Sequence, residues 1–511
     1  MCIVFGVCPE GQPEVYTLRS HASSVKQQKP EADTVHDRGD PSNGNLQPTT
    51  DKILQICPRF RILVIGKTGV GKSTLINRAF GVTEAVSAHY RPGEANIETE
   101  LTSPENTLFV LHDSKGFEPG EDTNYEAAKR FILSRRSGPL KDRLHAVWFC
   151  LESPRAGARL LESAAEDFLK SKQATLGTIP LIIVFTKYDE FVNEVDMKMP
   201  DQSLESASKK AESVLEKHYN QSIHPLAGVS LPHVAVSTEE GYEKTLPKLV
   251  QLTYSLVSQW VAHEPSVVSN MAQRVNPALK IQGTIDIGKK KYWTALRTSP
   301  NFAGHRIWDC LYVIHTDIVT VWNFPTPHLL SKEFRELMVK MVEDLHVPNA
   351  PDPSSMLTFS GGSLVAAISA VLAALANPAA PIVIPIVAGL AAGSWAYLVY
   401  CQSQIVQQRF IAFIVDLTHV METLFMITEG RHERVGRRAI KLAYNAYHNS
   451  AVKAWAHNQI EAYRELEGRD AALEMIERLI KPVDSEDNAN YHAEIRKLAL
   501  DPVNLSQDEP W

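Results

Sequence analysis

From Cys57 to about His263, short apolar runs alternate with stretches of helical periodicity. The runs Ile62–Ile65, Ile97–Thr102, Thr107–His112, Ala146–Leu151, Leu181–Phe185 and His233–Val236 predict strands. Helical patterns fall near Tyr125–Arg135, Arg155–Lys170, Ser203–His218 and Thr245–Val261. Strand and helix in alternation predict an α/β unit: a mainly parallel sheet with helices on both faces. After about Glu264 the β signal fades. Helical patterns take over, among them Lys332–Leu345, Ser403–Thr428 and Arg434–Leu466. Between them, Pro353 through Gln408 contains no Asp, Glu, Lys, Arg or His, and Gly361–Ala376 and Ile382–Tyr400 are almost wholly apolar, parted by the turn Asn377-Pro378-Ala379-Ala380-Pro381.

These patterns divide the chain. Residues 1–57 carry a leader rich in Gln, Pro, Ser, Asp and Gly, expected to be disordered. Residues 58–263 form the α/β unit, 264–355 a helical region, 356–403 an apolar helical hairpin, 404–482 a second helical region and 483–511 a polar tail. A length of 511 residues is too great for one ordinary domain, and 44% hydrophobic residues supply large cores. A net charge of −7 without a long basic run gives no support for a nucleic-acid partner. The six cysteines, Cys2, Cys8, Cys57, Cys150, Cys310 and Cys401, form no C-x-x-C pair, which fits reduced thiols in an intracellular protein.

Candidate chemistry lies at strand ends. Gly66-Lys67-Thr68-Gly69-Val70-Gly71-Lys72-Ser73 fits G-x-x-x-x-G-K-[ST], between a buried strand and a helix beginning near Thr74. Glycines let backbone N–H groups close around phosphate oxygens, Lys72 can reach the β- and γ-phosphates, and the Ser73 hydroxyl can ligate Mg²⁺. Asp113-x-x-Gly116 follows a second strand: the aspartate can hold Mg²⁺ through water, and Gly116 can offer its N–H to a γ-phosphate. A third strand ends in Thr186-Lys187-Tyr188-Asp189. The Asp189 carboxylate can accept from the ring N–H and exocyclic amine of guanine, a donor pair that adenine lacks. The Lys187 stem can lie along the base. After a fourth run, Ser237 can place a backbone N–H on the guanine carbonyl.

In this order the four elements resemble the G1, G3, G4 and G5 motifs of TRAFAC-class P-loop GTPases, the Era, septin and AIG1-like branches, over roughly Phe60 to His263. The resemblance implies an α/β P-loop NTPase G domain, followed here by a mostly α-helical region with an apolar hairpin. It implies GTP and GDP as ligands with Mg²⁺, phosphate binding by residues 66–74 and Gly116, guanine reading by Thr186, Lys187, Asp189 and Ser237, and hydrolysis of GTP to GDP. The whole chain also looks like uncharacterised fungal G-domain proteins, through His112–Glu118, Gly288-Lys289-Lys290-Lys291-Tyr292-Trp293 and His315-Thr316-Asp317-Ile318-Val319.

Two departures from the pattern matter. The Mg²⁺-ligating threonine of switch I should lie in Val82–Leu101, where Thr99 is the candidate ligand or else part of a strand. Phe117 follows Gly116, where Ras-like enzymes carry a water-orienting glutamine. A low intrinsic rate follows, with help from a second copy or an activating partner. A low-activity, fully soluble guanine-nucleotide-binding scaffold is the alternative. The apolar hairpin also has two readings. Either it enters a membrane, leaving a cytoplasmic G domain outside, or it is the buried core of a helical bundle.

Overall fold

The computed structural model describes residues 47–82, 97–113, 122–155, 160–198, 204–298, 307–343, 345, 392–429, 434–463, 469–481, 486–497 and 505–511. The leader through residue 46, most of switch I, Gly116, Phe117 and most of the apolar hairpin lie outside them.

A helix α1 (Thr49–Ile56) leads into β1 (Phe60–Ile65), α2 (Lys72–Phe80), β2 (Leu101–Ser103), β3 (Asn106–Asp113), α3 (Asp122–Arg135), β4 (Ala146–Glu152) and α4 (Ser163–Leu176). Then follow β5 (Leu181–Thr186), α5 (Tyr188–Lys198), α6 (Leu204–Ser222), the short α7 (His224–Ala227), β6 (His233–Ala235) and α8 (Thr245–Trp260). The six strands among the described residues are ordered β2-β3-β1-β4-β5-β6. Every pairing is parallel except β2 with β3. This is the mainly parallel sheet that the alternation of elements predicts.

Alternate residues of each strand point to opposite faces, and both faces are buried. Leu63, Ile65, Val147, Phe149, Ile183 and Phe185 pack with Phe131, Phe168, Leu169 and Tyr219 from α3, α4 and α6. Phe60, Ile62, Val64, Phe109, Trp148 and Val184 pack with Leu75 and Phe80 of α2, Leu249 and Val257 of α8, and Val267, Val268 and Met271. These last three belong to α9 (His263–Ala272), so the helix just past the predicted end of the α/β unit seals its sheet.

The remainder is helical: α10 (Pro277–Thr298), α11 (Ile307–Trp322), a 3₁₀ turn His328–Leu330, α12 (Lys332–Glu343), α13 (Ala392–Thr428), α14 (Arg437–His448), α15 (Ala451–Ala462), α16 (Arg469–Ile480) and α17 (Glu486–Lys497). Its core centres on α13, whose Phe410, Val415, Leu417, Met421 and Leu424 are buried against α11, α12 and α14 to α17.

Several boundaries differ from the sequence reading. Thr49–Ile56, inside the expected leader, is helical because Asp317 of α11 caps it. The Asp317 carboxylate accepts from Thr50 N (2.8 Å), the Thr50 hydroxyl (2.7 Å) and Thr49 N (3.1 Å). The strand expected over Ile97–Thr102 starts only at Leu101, because the chain turns at Ile97, whose carbonyl meets Nδ1 of His112 at 3.0 Å. The helix expected from Arg155 begins at Ser163. The long pattern Arg434–Leu466 is two helices: Asn449 ends the first, and the Ser450 side chain caps the second by accepting from Lys453 N. Conversely, Ser403–Thr428 extends back to Ala392, so one helix runs from the apolar stretch into the bundle core.

Candidate nucleotide site

The carboxyl ends of β1, β3, β4 and β5 converge on one edge of the sheet, where ligands of open α/β folds bind. After β1 the chain enters Gly66–Ser73. Gly66 touches β4 so closely that a Cβ there would collide with the Cys150 carbonyl oxygen. Gly69 and Gly71 have φ of 80° and 89°, left-handed values that favour glycine. Gly71 caps α2, its carbonyl accepting from Leu75 N. The helix N-terminus, with its unpaired N–H groups, therefore faces the loop, an arrangement suited to phosphate. Ser73 and Thr74 lie in the first turn of α2, Ser73 half-buried and Thr74 exposed. Lys72 folds over the loop and donates from Nζ to the carbonyls of Gly66 (2.8 Å) and Lys67 (2.9 Å). Among the described residues that leaves one of its three ammonium donors open to a phosphate. Thr68 is exposed at the loop tip and Val70 is buried beneath it. Lys67 turns aside to form an ion pair with Glu162, ahead of α4.

Asp113 ends β3 in register with Val64, one residue before the end of β1. It is 6% exposed, and its Oδ1 has no hydrogen-bond partner among the described residues. Burial pushes its carboxyl up to about 6, against the pull of the nearby Lys72 ammonium. A buried, unpaired carboxylate oxygen is costly unless something binds it. The chemistry of these donors fits Mg²⁺: a hard carboxylate at the end of β3 and, in the first turn of α2, the Ser73 hydroxyl. Thr99 lies in an exposed bend before β2, rather than in a strand.

The residues expected to read the base follow β5 and β6. Asp189 stands in the first turn of α5, and the Ser237 hydroxyl donates to its Oδ1 at 2.6 Å. The fold thus joins two residues 48 positions apart. The Ser237 N–H, expected to meet the guanine carbonyl, lies 3.2 Å from the Thr245 hydroxyl. Thr186 is 5% exposed and donates its hydroxyl to the Leu151 carbonyl, tying β5 to β4. Lys187 has φ of 53°, rare for a non-glycine residue, and its Nζ reaches Glu152 Oε1 at 3.4 Å. Glu152, Arg155 and Glu162, which line a cleft with Gly66 and Lys67, were not marked by any motif. Their one sequence signal is position: charged residues just beyond the buried run Ala146–Leu151, where such a sheet binds ligands.

Residues 61–187 match the family model described as 50S ribosome-binding GTPase. This segment is a P-loop GTPase G domain. Residues 328–494 match a second model, described as a domain of unknown function, DUF8505. Over 74 residues the chain is 36% identical to Translocase of chloroplast 90, chloroplastic, from Arabidopsis thaliana, an alignment spanning 14% of this chain and 9% of that protein. Among solved structures, one titled "Dimerization is important for the GTPase activity of chloroplast translocon components atToc33 and psToc159" is 15% identical, with a TM-score of 0.26, covering 42% of this chain and 92% of that one. "LeoA bacterial dynamin GTPase from ETEC" is 12% identical, with a TM-score of 0.29, covering 88% of this chain and 86% of that one. At these scores neither structure bears on function.

His112 and His315 are buried. Of the described residues, Cys57 and Cys150 are free, buried thiols. Gln407–Thr428 is the one helix among the described residues long and apolar enough to cross a membrane, and 94% of its apolar window is buried inside the protein.

Proposed function

We propose that this protein is a TRAFAC-class GTPase, akin to the fungal G-domain proteins it resembles, which binds GTP and GDP with Mg²⁺ and hydrolyses GTP slowly. The observation that carries the guanine assignment is the contact of Asp189 with Ser237, on the same sheet edge as the phosphate loop. A carboxylate held there can accept both guanine donors, and adenine would leave it unpaired. Gly66–Thr74 would wrap the phosphates, Gly116 would contact the γ-phosphate, and Thr186, Lys187, Asp189 and Ser237 would frame the base. Ser73 and Asp113 would hold Mg²⁺, with Thr99 as the candidate switch I ligand. The ion would neutralise charge on the β- and γ-phosphates. With Phe117 at the glutamine position, water orientation falls to a second copy or an activating partner, so the isolated chain turns over slowly.

The nucleotide state would act on the helical half through α9 and α1, which touch both regions. Residues 356–403 would form a membrane-inserting hairpin that returns to the same side and leaves the G domain in the cytoplasm. The support is the charge-free run and its continuation as a helix into α13. Calorimetry with GDP, GTP and ADP tests the central claim. Guanine nucleotides should bind far more tightly than ADP, Lys72→Ala should abolish binding, and Asp189→Asn should shift preference toward xanthine nucleotides. Equal affinity for ADP and GDP in the unmodified protein would rule the reading out.

A further inference from the structure

We propose that Glu152 is a positioning residue for the purine site, holding the Lys187 side chain in place to lie across the base. The proposal rests on the guanine-nucleotide reading and adds a residue that no nucleotide motif contains. The parallel register of β4 and β5 sets Glu152 opposite Thr186, so Lys187 emerges beside it. The left-handed turn at Lys187, φ 53°, accompanies a path that brings its ammonium back to β4, where Glu152 Oε1 lies 3.4 Å away. The same oxygen lies 2.5 Å from Arg155 Nη2. Arg155 also pairs with Glu190, the residue after Asp189. Lys187, Glu152, Arg155 and Glu190 thus form a chain of alternating charge from the end of β4 to the start of α5.

The side chains of Glu152 and Lys187 are about one-third exposed, at 34% and 33%. Pairs as exposed as this add little to folding stability. Their effect belongs to binding. A free lysine side chain loses rotamer entropy when it settles on a ligand, and a carboxylate that already fixes it removes part of that cost. The contact is to the face of the ring, so the gain does not depend on which groups decorate the purine edge.

Fluorescence titration of the full chain with GDP and inosine diphosphate tests this. Glu152→Gln should weaken both by the same factor, about three- to tenfold, the cost of immobilising one long side chain. Asp189→Asn, in contrast, should penalise GDP more than inosine diphosphate, which lacks the exocyclic amine. Lys187→Met keeps an apolar stem and removes the ammonium. In that background, adding Glu152→Gln should cause no further loss. An equal loss in the Lys187→Met background, or none when Glu152→Gln is introduced alone, would overturn the proposal. A Glu152→Gln chain that melts well below the unmodified protein would mark the residue as structural and overturn it too. Failure of the guanine reading itself shows in the unmodified protein alone, as equal affinity for ADP and GDP.

Discussion

Asp113 in the G domain and Asp416 in the helical half are both buried aspartates, at 6% and 0% exposure, and they do opposite things. Asp416 is satisfied: Tyr447 donates its hydroxyl at 2.8 Å, and His457 Nε2 lies 2.9 Å from the other oxygen. Three helices, α13, α14 and α15, are joined through one carboxylate. Asp113 keeps an oxygen without a partner among the described residues and sits beside a lysine that is turned to backbone carbonyls. A buried carboxylate with all its partners holds a fold together, and one lacking a partner beside a P-loop is suited to the Mg²⁺ role proposed for it. Asp317 follows the first pattern, since its carboxylate ties α1 to α11.

Acid should strain both regions, and by the largest amount. His145 in the G domain and His315 in the helical half are each pushed down to about 4, in both cases by burial. His145 Nδ1 accepts from Arg61 N, and His315 Nδ1 has no hydrogen-bond partner among the described residues, so neither has an acceptor there ready for a second proton. Because their folded values lie below the ordinary 6.5, the stability they contribute is complete above that pH and is lost as pH falls toward 4. The cost is about 3 kcal/mol for each histidine. His112 and Asp113, neighbours on β3, titrate in opposite senses and offset one another. Urea unfolding at pH 7 and pH 4.5 should therefore show a large drop. Unchanged stability would mean that the two histidines find partners when charged.

The aspartates themselves give the next largest effect. Asp416→Ala should cost about 3–5 kcal/mol, because it strands the groups that met the carboxylate. Asp113→Asn should leave the melting temperature of the nucleotide-free protein unchanged or higher, yet abolish the stabilisation that Mg²⁺ and GTP confer. Equal destabilisation by the two changes, measured by calorimetric melting, would erase the distinction drawn between them. A smaller effect is expected at Asp317→Ala, about 2 kcal/mol from the lost cap of α1. Hydrogen exchange should then rise in Thr49–Ile56 while the amides of β1 stay protected. If exchange in α1 does not change, the cap is not what orders that helix.

The P-loop, the strand-end aspartates and the alternation behind the sheet were legible because each is local: a loop, a strand or a helix turn writes its requirements into neighbouring residues. Gly66 and Lys72 act within eight positions of one another, and the β1-loop-α2 order follows from their immediate flanks. The helical bundle was legible only as helices. Helical periodicity tells which face of α13 is apolar, but not that His457 and Tyr447 will meet Asp416, nor that Ser450 divides one long pattern in two. Sequence alone determined that the chain carries a P-loop and a helical half, and it pointed to Asp189 for the guanine role proposed above. Tertiary structure decided that Ser237 meets Asp189 across 48 positions, that Glu152 stands beside Lys187, and that Asp317 caps a helix 267 residues away. Contacts of that range depend on strand register and helix packing, which no local pattern records.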